Sequence, residues 1–551
     1  MKKFLSVCLV ILMMLSVFAL PTSAITVDEM LPDEPIDDVY YFFYDDVAFV
    51  IGFDFDESDT SPKPGIVIPE TIAYEGNNYE VSGILGTAFE NCDYVSVTLP
   101  STISYIGDAA FASSPYLEEV IIPVACHFEY FGDDVFLGTP FEAELYSKDE
   151  TILGDNVLFS YIGNAEEYVI PENIEIIAPK CFFMSGAKSV VFNDKVTEIP
   201  SFAFASCRNL TEINIPDSVE TIGEGAFKDC TNLRKITLGK GVQEIGLDCF
   251  ANTKIKSIHL GQRVYEISGA FRGCKTLETI TIESSNTALL TDGNAVYFKT
   301  TFLFDGKERD GLIIEYYIPS KAQGNITIKS NVGAIGEYAF YGCDGIENVV
   351  ANELEFVDVG AFCNSSIKSF SAKGNYMICD YAFKNCNELE TISLENAEYI
   401  GVGSFENCTS LETVTFSPSL DCISELAFSN TGLKNIVIAG NDCCIYEAAF
   451  KDCQALETVK LEEGVYYLGT NAFLGCSELK TVYISKTVKD FEENALNGCD
   501  NVTFQVTEST EGHKIVEESG YNFEIVARLS FFERIAVFFE NLFSILFGWI
   551  I

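Results

Sequence analysis

Histidine and tryptophan are nearly absent from the 551 residues: three His (His127, His259, His513) and one Trp (Trp549). So small a supply of imidazole leaves little material for general-base or metal chemistry. Cations are also scarce, with Lys+Arg 34 against Asp+Glu 82, a formal net charge of −48. A surface of that sign excludes nucleic-acid binding, because phosphate recognition needs clustered cations. The chain contains no G-x-S-x-G elbow, no H-E-x-x-H helix, no phosphate loop and no C-x-x-C pair. Catalytic residues, cofactors and metals are therefore expected to be none. Asp54, Asp56, Glu57 and Asp59 in FDFDESDT lack the Gly and Glu of a calcium loop and read as a solvated strand and turn.

What is abundant is apolar: 48% of residues, enough for an extensive core. Both ends are strongly apolar. Residues 1–24, MKKFLSVCLVILMMLSVFALPTSA, join a basic start (Lys2, Lys3) to an apolar stretch and the small residues Thr22, Ser23 and Ala24. That order predicts a secretory signal cleaved after Ala24, hence a secreted, extracellular or cell-surface protein. Residues 25–80 read as an acidic linker followed by an N-terminal β cap. At the other end, Phe531, Phe532, Ile535, Phe538, Phe539, Leu542 and Phe543 recur at three- and four-residue spacing, predicting an amphipathic apolar tail helix over 528–551. Its charge-free run 541–551 falls short of the ~20 residues a spanning helix needs. The tail is expected to cover the end of the preceding domain or to contact membrane or envelope.

Between the ends runs a repeat. An anchoring aromatic falls at Phe182, Phe204, Phe227, Phe250 and Phe271, then at Phe340, Phe362, Phe383, Phe405, Phe428, Phe450 and Phe473, spaced 21 to 23 residues apart on either side of a gap of 69. Phe89 and Phe111 form an earlier pair. In one unit, Leu210, Ile213 and Ile215 place alternate residues on one face of a short strand, and Pro216-Asp217 ends it. Val219 and Ile222 turn inward again before Gly223 and Ala226-Phe227. Glycine recurs four places before the anchor, at Gly107, Gly223, Gly246, Gly336, Gly401 and Gly469, as a tight corner requires. A unit this short cannot bury its apolar face alone, so stacking is predicted. About 18 coils at the ~4.8 Å strand spacing give a rod roughly 85 Å long.

The stretch 210–230 resembles, at every fixed position, the repeat L-x-x-I-x-I-P-x-x-V-x-x-I-G-x-x-A-F-x-x-C of BspA-like leucine-rich-repeat surface proteins. The expected fold is a β-rich solenoid of ~22–23-residue coils, capped by β structure at the N-terminus and closed by an α/β segment over 506–527. The solenoid is expected over 81–505, with inserts at 137–181 and 283–338 that resemble protruding loops of the family. The resemblance implies adhesion, with a protein or glycan on a host or neighbouring cell as the expected partner; a monomer is expected. An envelope spacer held by the tail is the alternative, and a carbohydrate-active site in an insert is a third reading.

Nineteen cysteines in an exported chain suggest disulfides, yet ten of them (Cys92, Cys207, Cys230, Cys274, Cys343, Cys386, Cys408, Cys453, Cys476, Cys499) stand three residues after an anchor. Elsewhere that slot holds Ser114, Ser185, Ser365, Thr253 or Thr431. A slot open to Cys, Ser or Thr wants a small side chain with a polar atom, so an interior column of free thiols is expected, with vertical bridges between coils the alternative. Free thiols would imply a reducing or anaerobic habitat. Cys443-Cys444 fits no part of this pattern.

The outward strand positions Thr98, Asn214, Thr237, Thr281, Ser393, Thr415, Lys460 and Tyr483 form the expected binding face. Which of these residues would touch a ligand is not specified by sequence.

Overall fold

The computed structural model describes residues 34–54, 61–304, 307–374, 376–492, 494–499 and 501–530. The expected signal 1–24, the tail beyond Ser530 and the acidic residues Asp56, Glu57 and Asp59 lie outside them. The chain divides into two compact units, Met1–Ile255 and Lys256–Ile551. Each is a β-solenoid in which a coil contributes one short strand to each of two parallel ladders.

In the N-terminal unit, Val39–Tyr44 and Val47–Phe53 form an antiparallel cap. Val47–Phe53 then pairs in parallel with Asn77–Ile84, so the cap supplies the first rung of a ladder continued by Tyr105–Ile106 and Tyr130–Phe131. In the C-terminal unit one ladder of eleven strands ends at Asp490–Phe491. The other closes with Thr503–Glu508, helix Glu511–Glu518 and Asn522–Arg528. Arg528, expected to open the tail helix, is instead the last residue of this strand, and its Nε lies 3.2 Å from Glu508.

The anchors stack. Phe182, Phe204, Phe227 and Phe250 have ring centroids 4.5, 5.1 and 5.7 Å apart, with planes within 10° of parallel. From Phe340 to Phe473 the same stack runs through seven rings at 4.7 to 5.3 Å. Coil-to-coil backbone bonds hold each ring in line: Phe204 N–H donates to the Ala226 carbonyl (2.7 Å) and Phe405 N–H to Ala427 (2.7 Å). The residues two before and two after the ring take positive φ, for example Phe202 (57°) and Ser206 (60°), or Leu426 (57°) and Asn430 (56°). Such backbone costs about 1 kcal/mol or more for a bulky residue. It is tolerated here because these same N–H groups donate to the next coil, Phe202 to Glu224 and Ser206 to Lys228.

The glycine four places before the anchor answers to space. A Cβ on Gly223 would come within 2.6 Å of Ser201 N, and one on Gly401 within 2.6 Å of the Cys379 carbonyl carbon. Both contacts are backbone of the preceding coil, which cannot yield.

The slot after the anchor is an interior column. Cys230 Sγ donates to the Phe204 carbonyl (3.0 Å) and Cys408 to Phe383 (3.1 Å), while Cys386, Cys453 and Cys476 repeat the contact. Ser114 Oγ does the same to Phe89 (2.9 Å). The slot therefore requires a short donor, which is why Cys, Ser and Thr interchange in it. All 18 cysteines of the described residues are unbridged, and burial pushes thiols such as Cys343 up to about 12. Cys408→Ser, which keeps the donor, is expected to cost less than removing the donor altogether. Cys408→Ala is expected to cost about 1–2 kcal/mol through a lost bond and a small void, read by urea unfolding.

The first insert departs from the expectation of a protruding loop, while the second keeps a hairpin whose outer half pairs only with itself. Val157–Tyr161 is buried at every residue and pairs in parallel with Ile176–Ile177. Phe136 stacks on Phe111 (5.6 Å), Phe159 packs on Phe136 (5.9 Å) and Tyr161 on Phe182 (5.6 Å). The ladder and aromatic column thus pass through 137–181. In the second insert, Ala295–Phe304 and Lys307–Tyr317 form an antiparallel hairpin whose second strand joins the parallel ladder at Val332–Ile335. Tyr317 stacks on Phe340 at 4.6 Å, and Ala295, Val296 and Tyr297 are buried.

Candidate recognition faces

Each ladder presents an outward row of side chains on strands fixed by hydrogen bonds. On the first ladder, cross-strand partners include Asn214 with Thr237, Ser393 with Thr415, and Lys460 with Tyr483. Beside this row, Lys434 meets Glu412 at 2.6 Å and Lys480 meets Glu457 at 3.3 Å. Such exposed pairs are worth less than about 1 kcal/mol each. Their effect is to break up what would otherwise be a column of like charge.

Before Asn214 and Thr237, the same row in the N-terminal unit is mostly aliphatic, interrupted by Thr98. Val67, Thr98 and Ile121 are register partners, as are Val169 and Val191. Val67 is 69% exposed, Val169 58%, Ile121 44% and Val191 41%. Sequence reasoning passed over these residues. In I-V-I-P (66–69), V-I-I-P (120–123) and Y-V-I-P (168–171) the outward residue is as apolar as its neighbours, which hides the alternation. Helix Pro140–Leu145, capped by the Thr139 hydroxyl accepting from Glu142 N, follows Glu119–Ile121 in place of the next rung. An open groove of about 720 Å³ flanks it, lined by Pro115, Leu137, Pro140, Tyr146 and Phe183 among others.

The second ladder has a row of its own, which the sequence reading did not single out. In the N-terminal unit Tyr105 stacks on Tyr130 (4.8 Å, 17°), and the Phe49 ring lies over Gly83, where a Cβ would come within 2.6 Å of it. Tyr130 donates to Asp108 Oδ1 (2.8 Å); burial and that bond push its hydroxyl well above the usual phenol range. In the C-terminal unit the register runs Phe356, Met377, Tyr399, Cys422, Cys444, Tyr467 and Asp490. Each precedes an inward Val, Ile, Leu or Phe. That offset is the sequence signal by which the row could have been found.

The three histidines lie apart from one another, each among its own polar neighbours. His127 Nδ1 is 2.9 Å from Asp155 and its Nε2 3.5 Å from Glu175. His259 is exposed on its strand beside Thr281 and Glu283. His513 lies on the closing helix, where its Nδ1 accepts from Ser509 N–H. Among the described residues no group of three or more His, Cys, Asp or Glu is placed to hold a metal ion, and no helix is long and apolar enough to cross a membrane.

Stacked coils with two parallel ladders, a phenylalanine column and a thiol column define a leucine-rich-repeat solenoid. The chain belongs to the family described as the BspA type leucine rich repeat region, whose model matches residues 76–158, 151–278, 315–397 and 376–503. That span takes in the first insert. Proteins of this family and fold are typically non-enzymatic, and membership supports a protein-interaction or adhesion role in general. The chain is similar to a leucine rich cell surface protein from Faecalibacterium prausnitzii A2-165 (21% identity, 86% of this chain and 94% of that one, TM-score 0.33). It is also similar to a leucine-rich repeat protein from Eubacterium ventriosum ATCC 27560 (22%, 63% and 92%, TM-score 0.44). A third likeness is to the pneumococcal vaccine antigen PcpA (15%, 90% and 98%, TM-score 0.35). No curated protein matches the sequence.

Proposed function

We propose that the protein is exported to the cell surface or medium and there recognises a protein or glycan through the outward row of its first ladder. The observation that carries this reading is the pair of exposed register partners Val169 and Val191, with Val67 and Ile121 exposed on either side of Thr98 earlier in the row. Neighbouring apolar side chains left in water mark interaction surfaces. β-branched residues on hydrogen-bonded strands lose little further entropy on binding, so many modest contacts add up to useful affinity. The net charge of −48 keeps the chain soluble around this row and draws basic partners toward it. The family's general role and the leader-like first 24 residues support the same reading.

The test is a binding screen with the purified full chain, followed by the double variant Val169→Lys/Val191→Glu. These two positions are direct register partners, so the replacements introduce an ion pair like that of Lys188 with Glu166 and leave the ladder intact. Affinity for the partner is expected to fall about tenfold or more, as when buried contacts at the centre of an interface are lost. Unchanged binding would remove this row from the recognition surface.

A further inference from the structure

Of the 18 cysteines in the described residues, all but Cys379, Cys422 and Cys444 are buried. Two of these three are aligned. Cys422 and Cys444 are direct partners on consecutive parallel strands, and the next pair in register, Ile423 with Ile445, is wholly buried. Alternation along the strand therefore turns both thiols outward, and it explains the adjacent cysteines: Cys443 points into the core, Cys444 out of it. Tyr399 and Tyr467 are the register partners on either side. Cys422 Sγ lies 3.5 Å from Ser424 Oγ, whose hydroxyl donates to Tyr399, while the Cys444 thiol donates to the Asp442 carbonyl (3.7 Å). In-register parallel neighbours hold their Cα atoms about 4.8 Å apart, inside the ~4.4–6.8 Å range of disulfides.

We propose that Cys422 and Cys444 form a redox-active dithiol on the outer face of the second ladder, which small-molecule disulfides convert to a covalent link between two consecutive coils. The Cys444 thiolate attacks one sulfur of the reagent, forming a mixed disulfide and expelling one thiolate. The Cys422 thiolate then attacks the Cys444 sulfur, forming the protein disulfide and expelling the second. The protein loses two protons and two electrons, and the reagent is reduced to two thiols. The thiol column cannot follow, since its sulfurs are buried and occupied with anchor carbonyls. Burial, reinforced by Asp421 at Cys422 and Asp442 at Cys444, holds both outer thiols above the ordinary range, so the exchange accelerates toward alkaline pH.

The experiment exposes the native full chain to 2-hydroxyethyl disulfide and reads intact mass and peptide maps. The expected product is lighter by two hydrogen atoms, with the Cys422 peptide joined to the Cys444 peptide, and it forms about tenfold or more faster than any column thiol reacts. Cys422→Ser and Cys444→Ser, both at half-exposed positions, should each leave one mixed-disulfide adduct on the remaining member of the pair, with Cys379 scored separately by its own peptide. Two independent adducts on the unaltered chain, a link between Cys443 and Cys444, or no reaction at either outer thiol would each overturn the proposal.

Discussion

Replacing Phe405 by alanine is expected to destabilise its coils by about 3–5 kcal/mol. The ring is wholly buried and stacks on Phe383 at 5.2 Å and on Phe428 at 4.9 Å, nearly parallel to both. Alanine keeps the backbone bonds at the corner, from Phe405 N–H to Ala427 and from Cys408 N–H to Phe405. What it removes is the contact between two neighbouring rings, each of which then faces a void too apolar for water. The corner also takes left-handed backbone, with Gly403 at φ 54° and Asn407 at φ 64°. Those conformations are held by bonds to neighbouring coils, including the Asn407 side-chain amide to Asn385 (2.9 Å), and loosened stacking weakens that hold. In a repeat protein stability is close to a sum of nearest-neighbour terms, so the loss should be local. Hydrogen exchange should lose protection in coils 383–428 and leave the N-terminal unit unchanged, while urea unfolding gives the magnitude. Phe405→Leu, which fills most of the space, should cost about 1 kcal/mol. A cost below that for alanine would mean that the ring column is not a continuous core.

The column itself was legible because it rests on one large residue at a fixed spacing, a signal that survives variation elsewhere. Its corners were not. Positive φ falls on Lys180, Met184, Phe202, Tyr338 and Leu426, residues with no preference for that backbone. The conformation is imposed by bonds between coils, which local sequence does not encode. The first insert was misread for a related reason. Phe136 lies 25 residues after Phe111 and Phe159 a further 23 on, continuing the column without the Ala-Phe-x-x-Cys setting that marks the other coils. Of the candidate surface, the polar part of the first row was visible through alternation. The aliphatic part is masked by apolar neighbours, and the second ladder's row is hidden because its strands are often only two residues long, as at Phe356–Val357 and Cys422–Ile423.

The second ladder also bears a carboxyl whose burial adds a distinct step to the pH response of the C-terminal unit. Glu315 is 8% exposed; the Ser268 hydroxyl donates to its Oε2 at 2.7 Å. Burial, reinforced by the charges of Glu266, Asp358 and Glu337, outweighs that bond and raises its pKa from 4.5 to about 7. The folded unit therefore holds this proton more tightly than the unfolded chain does. The stabilisation is fully present below about pH 4.5 and is lost as pH rises through about 7, which amounts to about 3 kcal/mol. Glu315→Gln keeps the shape and an acceptor for Ser268 but has no charge to bury. It should match the parent near pH 4 and exceed it by up to about 3 kcal/mol at pH 8, as read from urea midpoints across that range. Other carboxylates impose their own pH dependence on both proteins, so the difference between the two curves, rather than either curve alone, isolates Glu315. Parallel curves would mean that this side chain is ionised in the folded unit at neutral pH, with water or a counter-charge reaching it.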